Sequence, residues 1–222
     1  MEINRDICVY TPQYCEENVY KLLENIEIAS ESDFYAVFIS NPKKFEFHAN
    51  SYNLFRQVPL FCQRKGDENE DNLVLWDYHV IAIRWLPTSS LVYDLDTTLD
   101  FPTSFKNYWN NAIRPNHCFR EPFFRFFRVV ARTCFLNNFA SDRSHMLLEG
   151  DPARWLAPPP PYAPIHGVEV PPEVTHTLPK FMNISAADVG QAQSSSKVSK
   201  SELQTSRFGM LFTEDMLLDF FS

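Results

Sequence analysis

Glycine is scarce in this chain of 222 residues: there are five, scattered at Gly66, Gly150, Gly167, Gly190 and Gly209. They cannot assemble the glycine-rich loop that cradles a phosphate, which argues against nucleotide chemistry. Cysteine is sparse and unevenly spaced. The five, Cys8, Cys15, Cys62, Cys118 and Cys134, are an odd number unlike a disulfide framework. Neither a Cys-x-x-Cys pair nor a His-Glu-x-x-His motif occurs, so no metal and no other cofactor is expected. No apolar run approaches the roughly 20 residues of a membrane span. The opening Met-Glu-Ile-Asn-Arg-Asp has no apolar signal core. A cytoplasmic location, or one shared with the nucleus, is the expectation. Positive charge is also short, with 20 Lys and Arg against 28 Asp and Glu and a net charge of -8. Such a surface repels phosphate backbones, so nucleic acid is not an expected partner, nor is a membrane. Nothing suggests more than a monomer.

What is present is a large apolar complement, 45% hydrophobic and 15% aromatic, enough for one domain spanning 1–222 with a sizeable core. Residues 15 to 27 read as a helix, with Val19, Leu22, Leu23 and Ile26 at helical spacing. Glu16 and Glu17 sit in its first turn and Cys15 at its N-terminus. Residues 34 to 40 read as a buried strand, and 41 to 72 as irregular with a solvated acidic run near its end. Residues 74 to 86 and 90 to 96 read as two strands joined by a tight connection at Pro87-Thr88-Ser89. Ser104 caps an expected amphipathic helix over 104 to 113, and 123 to 132 reads as a strand. Beyond residue 150 come the proline run Pro158 to Pro161, expected to be extended, and a serine- and lysine-rich stretch from Ser194 to Ser201 expected as a loop. A flexible segment near 185–203 follows from that composition. Phe212 to Phe221 reads as a short helix capped by Thr213.

Three residues on these elements have settings that fit a thiol hydrolase: Cys15, His79 and Asp94. Helix N-terminal N–H groups favour a thiolate and can also stabilise an oxyanion. Glu16 and Glu17 work against the thiolate, because negative charge raises a thiol pKa. A histidine is then needed to take the proton. If the hairpin is centred between Leu86 and Pro87, antiparallel counting sets His79 directly opposite Asp94, and Asp77 opposite Asp96. A turn shifted by one residue would change that register, so spacing alone leaves Asp94 and Asp96 both open. A carboxylate beside the imidazole would orient it as the third member of a triad. Each residue alone has a plainer reading as a buried core group. Two other functions compete: a different thiol enzyme, such as a transglutaminase or protease, and an interaction module docking through Pro158–Pro161.

Around these residues the chain resembles a known family, the protein N-terminal glutamine amidohydrolases. The matching segments are Cys8-Val9-Tyr10, Tyr14-Cys15-Glu16-Glu17-Asn18, Tyr35 to Ser40, Trp76-Asp77-Tyr78-His79-Val80 and Tyr93-Asp94-Leu95-Asp96-Thr97. Asn138 to Met146, Pro158 to Tyr162 and Arg207-Phe208-Gly209 follow in the same order. The resemblance implies an α/β fold, a three-layer α-β-α sandwich with a largely antiparallel sheet, as in transglutaminase and papain-like thiol enzymes. It implies Cys15 as nucleophile, His79 as base and acid, and Asp94 rather than Asp96 as the orienting carboxylate. The implied reaction turns the N-terminal glutamine of a protein or peptide into glutamate with release of ammonia, through a thioester and without a cofactor. The product is then a substrate for arginyl transfer in the N-degron pathway. The chain departs from the family pattern in 42 to 72, in the serine-rich 183 to 206, and in continuing past Gly209 to Ser222.

Selecting a free N-terminus requires a group that reads the α-ammonium. Asp142, Glu16 and Asp77 are candidates by residue type, although Asp142 has an equal claim to pair with Arg143 or to cap a turn. His145 has the same ambiguity. Tyr14 frames the nucleophile together with Glu16, while Trp76 and Tyr78 either wall the pocket or belong to the core.

Overall fold

The computed structural model describes residues 3–26, 34–42, 57–148, 151–195 and 197–222. Helix α1 (Cys15–Glu24) precedes strand β1 (Phe34–Ser40). Strands β2 (Val58–Leu60) and β3 (Val74–Trp76) pair with each other outside the main sheet. Next come β4 (His79–Arg84), β5 (Leu91–Tyr93), β6 (Thr103–Ser104) and helix α2 (Phe105–Tyr108), which runs on into a π-helical turn, Trp109–Ile113. Strand β7 (Phe126–Ala131) leads into α3 (Arg132–Asn138). Four short strands pair off as β8 (Ala140–Ser141) with β11 (Ile165–His166), and β9 (Leu147–Leu148) with β10 (Asp151–Trp155). Helices α4 (Leu178–Met182), α5 (Ala186–Ser194) and α6 (Lys200–Thr205), strand β12 (Met210–Phe212) and helix α7 (Glu214–Phe221) complete the order.

The main sheet has six strands in the order β12-β7-β1-β4-β5-β6, and every pairing in it is antiparallel. Its central strand β1 is buried along its whole length. Alternation sends its side chains to two separate cores. Tyr35, Val37 and Ile39 join Ile81, Ile83, Phe127 and Val129 under α2, the π-helical turn, α6 and α7. Phe34, Ala36 and Phe38 join Val80 and Ala82 under α1, α3 and α4, with Val19, Leu23, Phe135 and Phe181 as the main contacts. Helices therefore cover both faces of a largely antiparallel sheet. Among the described residues, no helix is long and apolar enough to cross a membrane.

Several expected elements occur where the sequence pattern puts them: the helix from Cys15, the strand 34–40, and α7 behind its Thr213 cap. Ser104 accepts from the Asn107 N–H at 3.2 Å as the expected cap. Four expectations change. The strand expected over 74 to 86 is broken at Asp77 and Tyr78, and its two parts belong to different sheets. Within the stretch expected to be irregular, 57–72 contains β2; 43–56 lies outside the described residues. The helix expected over 104 to 113 is α-helical only to Tyr108. The serine- and lysine-rich loop instead lies between two short helices, α5 and α6, the second taking in Lys200 and Ser201. Capping boxes explain them: Ser185 with Asp188, and Ser199 with Glu202, exchange side-chain and main-chain hydrogen bonds at each N-terminus.

Candidate active site

Cys15 is the first residue of α1, and the turn leading to it is rigidly held. Asn18 accepts from the Thr11 N–H and donates to the Thr11 carbonyl, both at 2.8 Å. Gln13 takes a left-handed φ of 69°, and the Tyr14 hydroxyl donates to the Ala157 carbonyl at 3.1 Å. Cys15 is buried, and a hydrogen bond from the Val80 main chain reaches its sulfur. The nucleophile candidate thus lies against the start of β4, at the main chain of Val80, the residue after His79.

His79 and Asp94 meet, but not by the register expected. The ladder pairs Ala82 with Tyr93, Ile83 with Val92 and Arg84 with Leu91. The connection is longer than a tight turn at Pro87–Ser89, and the pairing is displaced by two residues. An even displacement keeps every side chain on its own face, so His79 and Asp94 become diagonal neighbours instead of direct partners. Strand β5 ends at Tyr93, and Asp94 turns the chain by accepting from the Asp96 N–H at 2.9 Å. The same oxygen, Oδ1, lies 2.9 Å from His79 Nε2. Asp77 does not face Asp96; it sits in the break between β3 and β4 and accepts from the Tyr78 N–H.

Asp94 is saturated. Besides His79 and the Asp96 N–H on Oδ1, its Oδ2 accepts from the Tyr108 hydroxyl at 2.8 Å and from Gln63 Nε2 at 3.2 Å. Burial alone would raise its pKa, but the His79 charge and these hydrogen bonds hold it below the ordinary carboxylate value. Burial alone would depress His79; the adjoining Asp94 carboxylate outweighs that, and the net direction is upward. The other ring nitrogen, Nδ1, is buried and has no hydrogen-bond partner among the described residues. Trp76 stacks on the imidazole at 4.9 Å, with Lys65 above the indole at 5.6 Å. The indole Nε1 is itself buried and without a hydrogen-bond partner among the described residues. His79, Asp94 and Asp96 offer ligating atoms within 4.8 Å of one another. Hydrogen bonds inside the protein already engage both carboxylates, with Tyr10 donating to Asp96 at 2.6 Å.

The thiol does not have the lowered pKa that a helix N-terminus suggests. Burial raises it, and Glu16, Asp96 and Asp77 raise it further; the Val80 main chain acts in the opposite direction and loses. The sulfur lies 3.6 Å from Glu16 Oε2, within hydrogen-bond reach for a thiol.

Comparison with known proteins bears on this constellation. The family model described as N-terminal glutamine amidase matches residues 10–221. The chain belongs to that family. It is similar to the protein N-terminal glutamine amidohydrolase of Arabidopsis thaliana, 38% identical over 96% of this chain and 91% of that protein. The corresponding protein of Oryza sativa subsp. indica is 36% identical over 96% and 87%. That of Drosophila mojavensis is 41% identical over 71% and 72%. The chain is accordingly a hydrolase of the amidohydrolase kind.

The remaining candidates separate in this family member. Glu16 is buried beside the thiol and accepts from the Tyr78 hydroxyl at 2.9 Å. Glu17 is also buried, but Arg143 clamps it in a bidentate pair with both contacts at 2.9 Å. Arg143 also donates to the Pro160 and Tyr162 carbonyls, which ties the proline segment to α1. Asp142 therefore does not pair with Arg143. It accepts from the Ser144 N–H and the Thr175 hydroxyl, and lies 3.4 Å from His176 Nδ1. His176 stacks on His145, whose Nε2 is 3.4 Å from Glu16 Oε1. Gln63 and Tyr108 escaped sequence reasoning. Gln63 reaches Asp94 because an isolated bridge pairs it with Thr97, and no periodicity marks that. Tyr108 falls inside the amphipathic helix expected over 104 to 113, where nothing local marks it as a partner of Asp94.

Proposed function

We propose that this protein hydrolyses the side-chain amide of an N-terminal glutamine, releasing ammonia and leaving glutamate. The observation that carries this reading is the unpaired Nδ1 of buried His79, whose other nitrogen Asp94 holds, in a chain whose relatives bear that activity in their names. Nδ1 is the acceptor for the thiol proton. As Cys15 sulfur bonds to the amide carbon, its proton passes to His79, and the Cys15 N–H with neighbouring helix N–H groups faces the developing oxyanion. The carbon–nitrogen bond then breaks, and the proton on His79 leaves with the nitrogen as ammonia. A γ-glutamyl thioester remains on Cys15. Water attacks it, gives a proton to His79, and the carbon–sulfur bond breaks; that proton returns to sulfur. Burial and Asp94 together keep the imidazole oriented and basic throughout. The proposed enzyme is a single catalytic domain of the transglutaminase and papain-like kind, acting as a monomer in the cytoplasm or nucleus; the antiparallel sheet covered by helices on both faces supports the first part.

The test is ammonia release from a glutamine-initiated peptide beside a control with glutamine only inside. Release from the first alone is expected. No release, or equal release from both, overturns the reading. Amine incorporation or backbone cleavage in place of ammonia would assign a transglutaminase or protease instead.

A further inference from the structure

We infer that Glu16 is the residue that reads the substrate's α-ammonium, and that in the free protein His145 holds the place the ammonium takes. The inference rests on Cys15 being the nucleophile. Glu16 has no solvent exposure, one carboxylate oxygen engaged by Tyr78 and Cys15, and the other, Oε1, without a hydrogen bond among the described residues. A carboxylate buried half-satisfied costs folding free energy unless a cation completes it. His145 Nε2 stands 3.4 Å from Oε1 without hydrogen-bond geometry, and among the described residues neither ring nitrogen of His145 has a hydrogen-bond partner. It is a loosely held occupant.

Substrate dimensions agree. Four covalent bonds separate the α-nitrogen of glutamine from its side-chain carbonyl carbon, a span of about 5 Å or less. The sulfur attacks that carbon from roughly 3–3.5 Å. The ammonium must therefore lie within about 8 Å of the sulfur, and Glu16 Oε2 is 3.6 Å from it. The other nearby carboxylates are occupied or displaced. Asp96 accepts from Tyr10, Asp77 is exposed and turned to its own Tyr78 N–H, and Asp142 is engaged by Ser144 and Thr175.

The arrangement also couples recognition to reactivity. Glu16 works against the thiolate while it is uncompensated. An ammonium ion on Glu16 cancels that charge, so the nucleophile is activated when a free N-terminus is in place. An internal glutamine brings a neutral amide nitrogen, which neither completes Oε1 nor relieves the thiol.

The experiment compares Glu16→Gln and Asp77→Asn with the wild type on two peptides, one glutamine-initiated and one with the α-amine replaced by hydrogen. Alkylation of Cys15 by iodoacetamide, which needs no ammonium subsite, is followed in parallel. For Glu16→Gln the expected result is a roughly 100- to 1,000-fold loss of kcat/KM on the natural N-terminus and a collapsed preference over the des-amino peptide. Its alkylation is expected to be as fast as or faster than in wild type. Asp77→Asn keeps the preference. An unchanged preference in Glu16→Gln, or its collapse in Asp77→Asn alone, overturns the inference. If Glu16→Gln does not fold, the wild-type enzyme still decides: equal turnover of the two peptides overturns it. Failure of wild-type Cys15 to alkylate while turnover persists would instead overturn the nucleophile assignment.

Discussion

Two corners of the same site are built on opposite principles. In one, Asp94 is buried and every lone pair that matters is spoken for, by His79, Tyr108, Gln63 and the Asp96 N–H. In the other, Glu16 is equally buried, but among the described residues one of its oxygens has no hydrogen bond, and the histidine beside it has none at either nitrogen. The adjoining Glu17 shows that burial is not the cause of the shortfall, since Arg143 satisfies it at both oxygens. A saturated carboxylate fixes geometry, because moving it breaks several hydrogen bonds at once. An unsaturated one is poised for a ligand. In the proposed mechanism the first corner orients the imidazole and the second receives the substrate.

The largest effect expected is from Cys15→Ala, which removes the proposed nucleophile and should lower ammonia release by about four orders of magnitude or more; Cys8→Ala should leave it intact. If both corners merely bound substrate, Cys15→Ala would retain turnover. Asp94→Asn preserves shape but removes charge, and should lower kcat roughly 100- to 10,000-fold. It should also move the imidazole limb of the pH–rate profile toward lower pH, since Asp94 is what lifts His79 above its ordinary value of 6.5.

The same substitution has a stability signature. His79 is raised in the folded protein, so its contribution is complete below about pH 6.5 and is lost as pH rises through the elevated value. Asp94 is lowered, so its contribution is present above its ordinary 3.8 and is lost as pH falls through the depressed value. Urea melts of wild type against Asp94→Asn should therefore differ most in mildly acidic solution. A difference independent of pH would mean that the pair is not charged.

Arg143→Ala sharpens the contrast between the two glutamates. It strands Glu17 and should cost about 3–5 kcal/mol of stability in a urea titration, while the folded fraction keeps most of its kcat/KM. An equal loss per folded molecule would draw Glu17 into the site. The smallest effect belongs to Tyr108→Phe, which takes one of four donors from Asp94 and should cost about 1.5–3 kcal/mol of stability with a several-fold fall in kcat. No change in either would show that the saturation of Asp94 is redundant.

The comparison with the sequence follows the same division. Local signals located Cys15 on its helix start, β1 as a buried strand, and Thr213 and Ser104 as caps, because helix dipoles, alternation and capping act within a few residues. Face parity also survived: the two-residue displacement between β4 and β5 kept His79 and Asp94 on one face, although the turn was placed too tightly. Long-range pairings had no such local signature. Gln63 lies 31 residues from Asp94, and Arg143 lies 126 residues from Glu17, so neither contact leaves a periodic trace.

By itself the sequence determined which residue types were at hand and where the helix, the strands and the candidate trio stand along the chain, since those depend on neighbours within a turn or a strand. Only the tertiary structure decided which carboxylates are satisfied and which is not. That depends on desolvation and on partners brought from distant segments, and it is what distinguishes Glu16 from Glu17.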